Sequence, residues 1–499
     1  IRRLGEIYMK KMNKVLCGVL GLGFLLTGCA TVSSFKNTKE ELIYNGNVAT
    51  VVGDYVYYAN KYAESIDTKD AYKEAAKLAY LARIDRNIDA ATKKDYTPAE
   101  FEKVGSEVVG HSKNYMVVLG DYIYYTIPNK DKVEDAEGNV SQKYNYTTLY
   151  RCKLNGDKVK KIYTTTGEVS KIETVKHNGK YYIVMLAGTD LIKVAIGNKV
   201  SAQIIAKDVT SVAVPETYEE NTFGSTLDWN GYLYYTVAKT DPDNQDITGT
   251  HIYKHELSAA EGKKVGTVAK SLKFVDREQD VLFYTYAEAS ITKTYAYDSN
   301  RTIDVGGEQV APAFTVNGSD QFAVATIENI TKVSAKVVDG KTEKARTVGY
   351  VYLNSNTLMY TTVAGKSGAF TLKNGESTVE NFKLLFVDER EVYVSTAEGI
   401  YKADMSSAFA GEGGPVDLVC TKIVDMLGLQ EEGNYAFDGT YIYYYADLQP
   451  LSEEDAGEGE DTTEDLDSGK FLYRSHVGRT GADNYQLLSK TNNEKRMTK

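Results

Sequence analysis

Gly53-Asp54-Tyr55-Val56-Tyr57-Tyr58 joins a turn dipeptide to a run of aromatic and branched residues, and Gly120-Asp121-Tyr122-Ile123-Tyr124-Tyr125 repeats it. The signature returns as Asn178-Gly179-Lys180-Tyr181-Tyr182-Ile183, as Asn230-Gly231-Tyr232-Leu233-Tyr234-Tyr235 and, near the end, as Asp438-Gly439-Thr440-Tyr441-Ile442-Tyr443-Tyr444. Weaker copies stand at Asp280-Val281-Leu282-Phe283-Tyr284, Asn356-Thr357-Leu358-Met359-Tyr360 and Arg390-Glu391-Val392-Tyr393-Val394. Each turn pair suits a tight hairpin, because Gly and Asn accept the positive φ that such a turn demands. The runs that follow are apolar at consecutive positions, so they predict strands covered on both faces. In an all-β chain that means one sheet packed between two others.

A second element follows several copies. Leu149-Tyr150-Arg151-Cys152-Lys153-Leu154-Asn155-Gly156-Asp157, then Val159 to Tyr163, is the clearest. His251 to Leu257, Phe471 to Ser475 and Gly399 to Asp404 echo it. Two strands from each element make a four-stranded antiparallel unit. The turns at 53, 120, 179, 231, 280, 356, 390 and 439 predict an all-β chain, a β-propeller of seven or eight four-stranded blades spanning 40–490. The unit spacing is wider than the ~40–50 residues of a bare blade, so the loops carry insertions. The rival architecture is two β-sandwich domains in tandem. Repetition of one strand signature rather than two favours the ring. Composition agrees: 40 Tyr, a strong strand former, stand against one Trp and seven Pro.

Over roughly residues 40–490 the chain resembles bacterial propellers similar to the low-density-lipoprotein-receptor type. Tyr-Tyr-Thr or Tyr-Tyr-Ala stands here where the receptors carry Tyr-Trp-Thr-Asp. The resemblance implies a ring of blades and names no ligand.

The chain's first residues carry a different message. Met9 or Met12 is expected to be the true start; Lys10, Lys11 and Lys14 then form a cationic region before the apolar stretch Val15 to Leu25. That stretch is too short to span a bilayer comfortably and has the charge layout of an export signal. Leu26-Thr27-Gly28-Cys29 resembles the lipobox of bacterial lipoprotein precursors, which implies cleavage before Cys29 and a diacylglycerol on its thiol. The expected organisation is therefore a leader over 1–28, a lipidated tether over 29–39 and the propeller beyond. A flexible tether of about ten residues reaches roughly 15–20 Å, which holds the domain near the membrane surface. Two or three acyl chains anchor stably where one does not.

The whole chain has a formal net charge of −11, and the part after the cationic leader is more acidic still. Such a chain has no electrostatic case for nucleic acid or for anionic lipid heads, so the covalent lipid carries the membrane attachment. Beyond Cys29, the cysteines Cys152 and Cys420 are too few for a disulfide scaffold and are read as two buried free thiols or one bridge.

Two segments interrupt the repeat. Within 61–110, Thr97-Pro98-Ala99-Glu100 reads as a capping box that opens a helix toward Phe101 and Val104, and Ala-rich 70–83 reads as a helix or as a strand ending in Tyr80-Leu81-Ala82-Arg83. This segment is expected to be a small helical insertion in the first blade. The acidic loop 452–469 holds Glu453, Glu454, Asp455, Glu458, Glu460, Asp461, Glu464, Asp465 and Asp467. It lacks calcium-loop spacing and reads as a solvated loop.

Little in the sequence points to catalysis. His251 and His255 are four apart, but on a strand that separation is about 13 Å, too far for one metal. No Gly-x-Ser-x-Gly elbow, phosphate loop or Rossmann fingerprint stands in a suitable context. Trp229, in Leu227-Asp228-Trp229-Asn230-Gly231, does not reproduce the Asp box of sialidase propellers. No metal or cofactor is expected. Tyr58, Tyr125, Tyr235 and Tyr445, at strand ends, are the candidates for facing the axial mouth, where a flat ring with a hydroxyl suits sugar or peptide. The expected function is a non-catalytic, membrane-tethered propeller that binds an envelope protein, peptide or glycan. The alternative is an envelope polysaccharide- or peptide-degrading enzyme on the same scaffold.

Overall fold

The structure, a computed structural model, describes residues 42–44, 49–60, 78–86, 102–109, 116–134, 136–138, 140–177, 180–196, 200–213, 232–240, 248–266, 271–276, 281–288, 291–298, 327–339, 342–354, 356–364, 366–425, 435–446, 471–482 and 484–488. The leader with Cys29, the box at 97–100, Trp229 and the loop 452–469 lie outside them. Among the described residues the strands form seven sheets, all antiparallel except for one parallel pairing. In chain order they cover 42–109, 116–164, 169–206, 209–266, 271–298, 327–425 and 435–487.

The repeat behaves as its residues predict. Gly53 and Gly120 adopt φ of +57° and +59° at the first position of two-residue hairpins, a conformation glycine enters without a Cβ penalty. The runs after the turns are sheathed on both faces: every residue of Tyr441–Ala446 is buried. The second element, Leu149 to Asp157, is the end of a third strand and its turn, and Lys160–Thr164 is the fourth strand of that sheet.

Sheet 327–425 departs from this register. It has two arms, 327–378 and 383–425, joined where Ser367–Asn374 runs parallel to Val416–Asp425. In its first arm the turn at Asn356 links the second and third strands, because the long hairpin Ile327–Asp339/Thr342–Asn354 comes before it. At 120, 390 and 439 the turn instead links the first strand of its sheet or arm to the second, while at 53 it links the second and third, because Leu42–Tyr44 pairs ahead of Ala49–Val52; the turn residues at 178–179, 230–231 and 280 lie outside the described residues.

The helical insertion expected in 61–110 is not evident where the chain is described. Leu78–Asp85 pairs with Tyr55–Asn60 on one side and with Glu102–Val109 on the other. Of the two readings of 70–83 the strand is the one found over 78–83, since pairing on both edges outweighs the helical preference of Ala; residues 70–77 lie outside the described residues. Among the described residues the only α-helix is Ser406–Ala410.

Neighbouring sheets share apolar clusters in chain order. Val52 and Leu81 pack with Met116 and Ile123, and these with Val169 and Ile183. Val184 and Leu191 meet Val209 and Leu233, and Ala213 and Tyr234 meet Leu272 and Leu282. Tyr350 crosses from the first arm to the fifth sheet, edge-on to Phe283 at 4.8 Å and donating its hydroxyl to Asp276 Oδ2 at 2.8 Å. Val351 and Leu358 join Leu384 and Val392 between the two arms, and Tyr393 and Ile423 join Ile442 and Tyr473 at the last sheet.

The last sheet then packs on the first. Ala49, Val56, Tyr58 and Ala82 share one cluster with Ala436, Tyr443, Leu472 and Leu488. The succession closes on itself, as in a β-propeller, and tandem sandwiches are excluded. Among the described residues closure uses no shared sheet: the first sheet draws on 42–109 and the last on 435–487. Side chains do the work instead. Tyr58 donates to Leu488 O at 3.0 Å, Arg86 lies 3.5 Å from Asp438 Oδ2, and the buried Arg474 donates to Arg86 O at 3.1 Å.

Candidate functional site

Tyr58, Tyr125, Tyr235 and Tyr445 are 0, 2, 4 and 8 % exposed. Tyr125 stacks on Tyr150 at 6.2 Å and Tyr235 on Tyr253 at 5.2 Å, while Tyr58 closes the ring. Burial raises the phenol pKa of Tyr58 and Tyr445, so both hydroxyls stay protonated. These four are packing residues between sheets and present no face to a ligand. Cys152 and Cys420 are buried free thiols, and burial pushes the Cys420 thiol up to about 11. His251 and His255 lie on the strand Thr248–Glu256, as read.

A half-exposed aromatic group occurs elsewhere, on the seam between the arm 383–425 and the last sheet. The strand Lys383–Asp388 ends at a tight turn and pairs with Glu391–Thr396, setting Phe386 opposite Tyr393 and Asp388 opposite Glu391. Phe386 stacks on Tyr393 at 4.4 Å, and across the seam on Phe437 at 4.5 Å and Tyr435 at 5.4 Å. Tyr393 is buried beneath, whereas Phe386, Tyr435 and Phe437 are each half-buried. Offset stacks of this kind are worth about 0.5–1.5 kcal/mol per pair beyond the area they bury.

Carboxylates border the rings. Glu391 accepts from Tyr393 Oη at 2.8 Å and from Lys402 Nζ at 3.1 Å. Glu389, at φ +50° in the turn, pairs with Lys336 at 3.2 Å. Asp388 Oδ1 is buried with no hydrogen-bond partner. Burial first, then the neighbouring Glu389 and Glu391, push the Asp388 carboxyl up to about 7, against the opposing pull of Lys336 and Lys402. Burial, with Glu391 and Asp388 adding to it, also holds the Tyr393 phenol protonated.

An aspartate stands at the end of the first strand of two other sheets, Asp276 ending Ser271–Asp276 and Asp438 following Tyr435–Phe437, and there it is satisfied. Asp276 accepts from Tyr350 of the following arm at 2.8 Å. Asp438 accepts from Thr440 N at 2.8 Å, Tyr441 N at 2.6 Å and Tyr443 Oη at 2.9 Å, and meets Arg86 of the first sheet. Asp388 holds the same place with one oxygen unfilled. Buried acceptors left this way are rare and call for an explanation.

The repeat predicts a ligand face after each turn, whereas Phe386, Tyr435 and Phe437 stand before it. The signal was Phe274-Val275-Asp276, Phe386-Val387-Asp388 and Phe437-Asp438, an aromatic just ahead of the turn aspartate.

No family model matches the chain, and no curated protein matches it significantly. Among solved structures it is similar to the C-terminal WD40 domain of Sif2, at 10 % identity and a TM-score of 0.36, over 81 % of this chain and 94 % of that one. Apo AztD from Citrobacter koseri is similar at 12 % identity and a TM-score of 0.32, over 77 % of this chain and 89 % of that one. A prolyl endopeptidase structure is similar at 13 % identity and a TM-score of 0.34, over 75 % of this chain but 53 % of that one. Scores this low carry no argument about ligand or activity.

Proposed function

We propose that this chain is a binding propeller of eight blades, the two arms of 327–425 counting as one each, tethered outside the bacterial cell membrane by lipid on Cys29. Its ligand is an envelope peptide, protein or glycan held at the seam of Phe386, Tyr435 and Phe437. The observation that carries this reading is the partly exposed aromatic stack of Phe386, Tyr435 and Phe437 across the seam, bordered by Glu389 and Glu391. Rings supply flat apolar area, and the carboxylates supply fixed acceptors for hydroxyl or amide donors, the combination that polar ligands with apolar faces require.

A binder gains stability from its ligand by mass action, about 2.7 kcal/mol at a hundredfold excess over Kd. Solubilised envelope polymer is therefore expected to raise the melting temperature of the purified chain. The Phe386→Ala/Phe437→Ala double variant is expected to fold and to show no such rise. An equal rise in both proteins would remove the seam from the account. Capture by crosslinking on intact cells then identifies the ligand.

One observation favours a second reading. Asp388, whose carboxyl burial pushes up to about 7, directly opposes the carboxylate of Glu391, and two facing carboxyl groups suit acid–base hydrolysis of a polymer. Turnover of envelope polymer that survives repurification and is lost in Asp388→Asn would favour it over simple binding.

The tether has its own test. Cys29→Ala is expected to abolish fatty-acid labelling and to move the protein from the membrane to the soluble fraction. Unchanged labelling would refute lipidation at Cys29 and leave the seam untouched.

A further inference from the structure

His255 is fully buried between the sheets 169–206 and 209–266, and neither of its ring nitrogens has a hydrogen-bond partner. It sits on the strand Thr248–Glu256 opposite Leu233, with the ring of Tyr235 6.4 Å away. Its strand neighbours Tyr253 and Leu257 pack into the apolar seam between the two sheets. Across that seam, Lys193 of the strand Asp190–Ile196 reaches over to donate to Leu257 O at 2.8 Å.

The charged and titratable groups around the ring are few. Lys193 faces it from the neighbouring sheet and opposes protonation; Glu256, next in the chain, favours it. Tyr235 stands beside it, stacked on Tyr253, and Glu261 lies by Tyr235. A buried imidazole without a partner is tolerable only while neutral.

We propose that His255 is an acid-sensitive latch: its protonation places an unpaired cation beside Lys193 in the seam of these two sheets and loosens the ring there. Burial and Lys193 hold the folded imidazole's pKa below the ordinary 6.5. The unfolded chain therefore binds the proton first. The contribution of neutral His255 is complete above about pH 6.5, declines as the pH falls below it, and levels off below the folded pKa. A chain outside the cytoplasm would meet such a fall in pH directly, and the histidine is the group whose charge changes in that range.

The test compares wild type, His255→Phe and His255→Gln at pH 7.5 and pH 5. The wild type is expected to lose roughly 1–2 °C more of its melting temperature between the two than either variant. Hydrogen exchange, corrected for intrinsic rates, is expected to show protection lost at pH 5 in Asp190–Ile196 and Thr248–Glu256 of the wild type and retained in the variants. His255→Gln keeps a neutral polar group, so it serves if the phenylalanine does not fit. Equal acid losses in all three proteins, or wild-type loss spread evenly over every sheet, would overturn the proposal.

Discussion

Replacing Asp438 by Ala is expected to destabilise the folded chain by about 3–5 kcal/mol, the usual cost of breaking a buried charge pair by deleting one partner. Asp438 is almost wholly buried, and its carboxylate serves two purposes. One oxygen accepts from Thr440 N and Tyr441 N and so fixes the turn between two strands of the last sheet. The other accepts from Tyr443 Oη and faces Arg86 of the first sheet. Deleting it leaves Arg86 without its counter-charge at a position where the buried Arg474 already stacks on Tyr441 at 4.4 Å and bonds Gln486 at 2.9 Å. Denaturant unfolding measures the loss. Asp438→Asn keeps an acceptor for the turn but loses the charge, so it is expected to fall between wild type and Asp438→Ala. A loss under about 1 kcal/mol for Asp438→Ala, within the range of an exposed ion pair, would show that the two sheets do not meet there.

Tyr350→Ala is the second large effect, expected at about 4–5 kcal/mol from loss of a buried aromatic together with a hydrogen bond to a buried acceptor. Tyr350 is fully buried and carries the contact between the fifth sheet and the first arm of 327–425, through Phe283 and Asp276. Tyr350→Phe separates the two contributions. It keeps the ring contact, removes the donor and is expected to cost about 1–2 kcal/mol. If Tyr350→Phe cost as much as Tyr350→Ala, the hydrogen bond rather than the packing would hold the joint.

Much of the fold was legible because it is written locally. The run Tyr441 to Ala446 has no polar face, which marks a strand covered on both sides before any neighbour is known, and every residue of it is buried. Gly53 and Gly120 announce their turns by being able to adopt positive φ. What was not legible depends on partners distant in sequence. Leu78–Asp85 is Ala-rich at its start, and only its two pairing strands make it a strand. Tyr58 looked like a surface candidate because the sheet that buries it begins at residue 435.

The site was harder for the same reason. Phe386 and Phe437 stand 51 positions apart, and nothing along the chain sets one on the other until two sheets are packed together. Asp388 could not be told from Asp276 or Asp438 by sequence, since all three stand where a strand gives way to a turn, in similar company. Whether a donor arrives from the next sheet is decided by Tyr350 and Arg86, which belong to other units.

A double-mutant cycle between Arg86→Met and Asp438→Asn tests most directly whether the chain is one ring that its first and last sheets close. The two residues are 352 positions apart and share no local structure, so coupling between them can arise only from closure. A closed ring predicts single losses that fail to add, with an interaction energy of about 1–3 kcal/mol. Losses that add within about 0.5 kcal/mol would mean that the two sheets stand apart, and the ring with its seams would have to be abandoned.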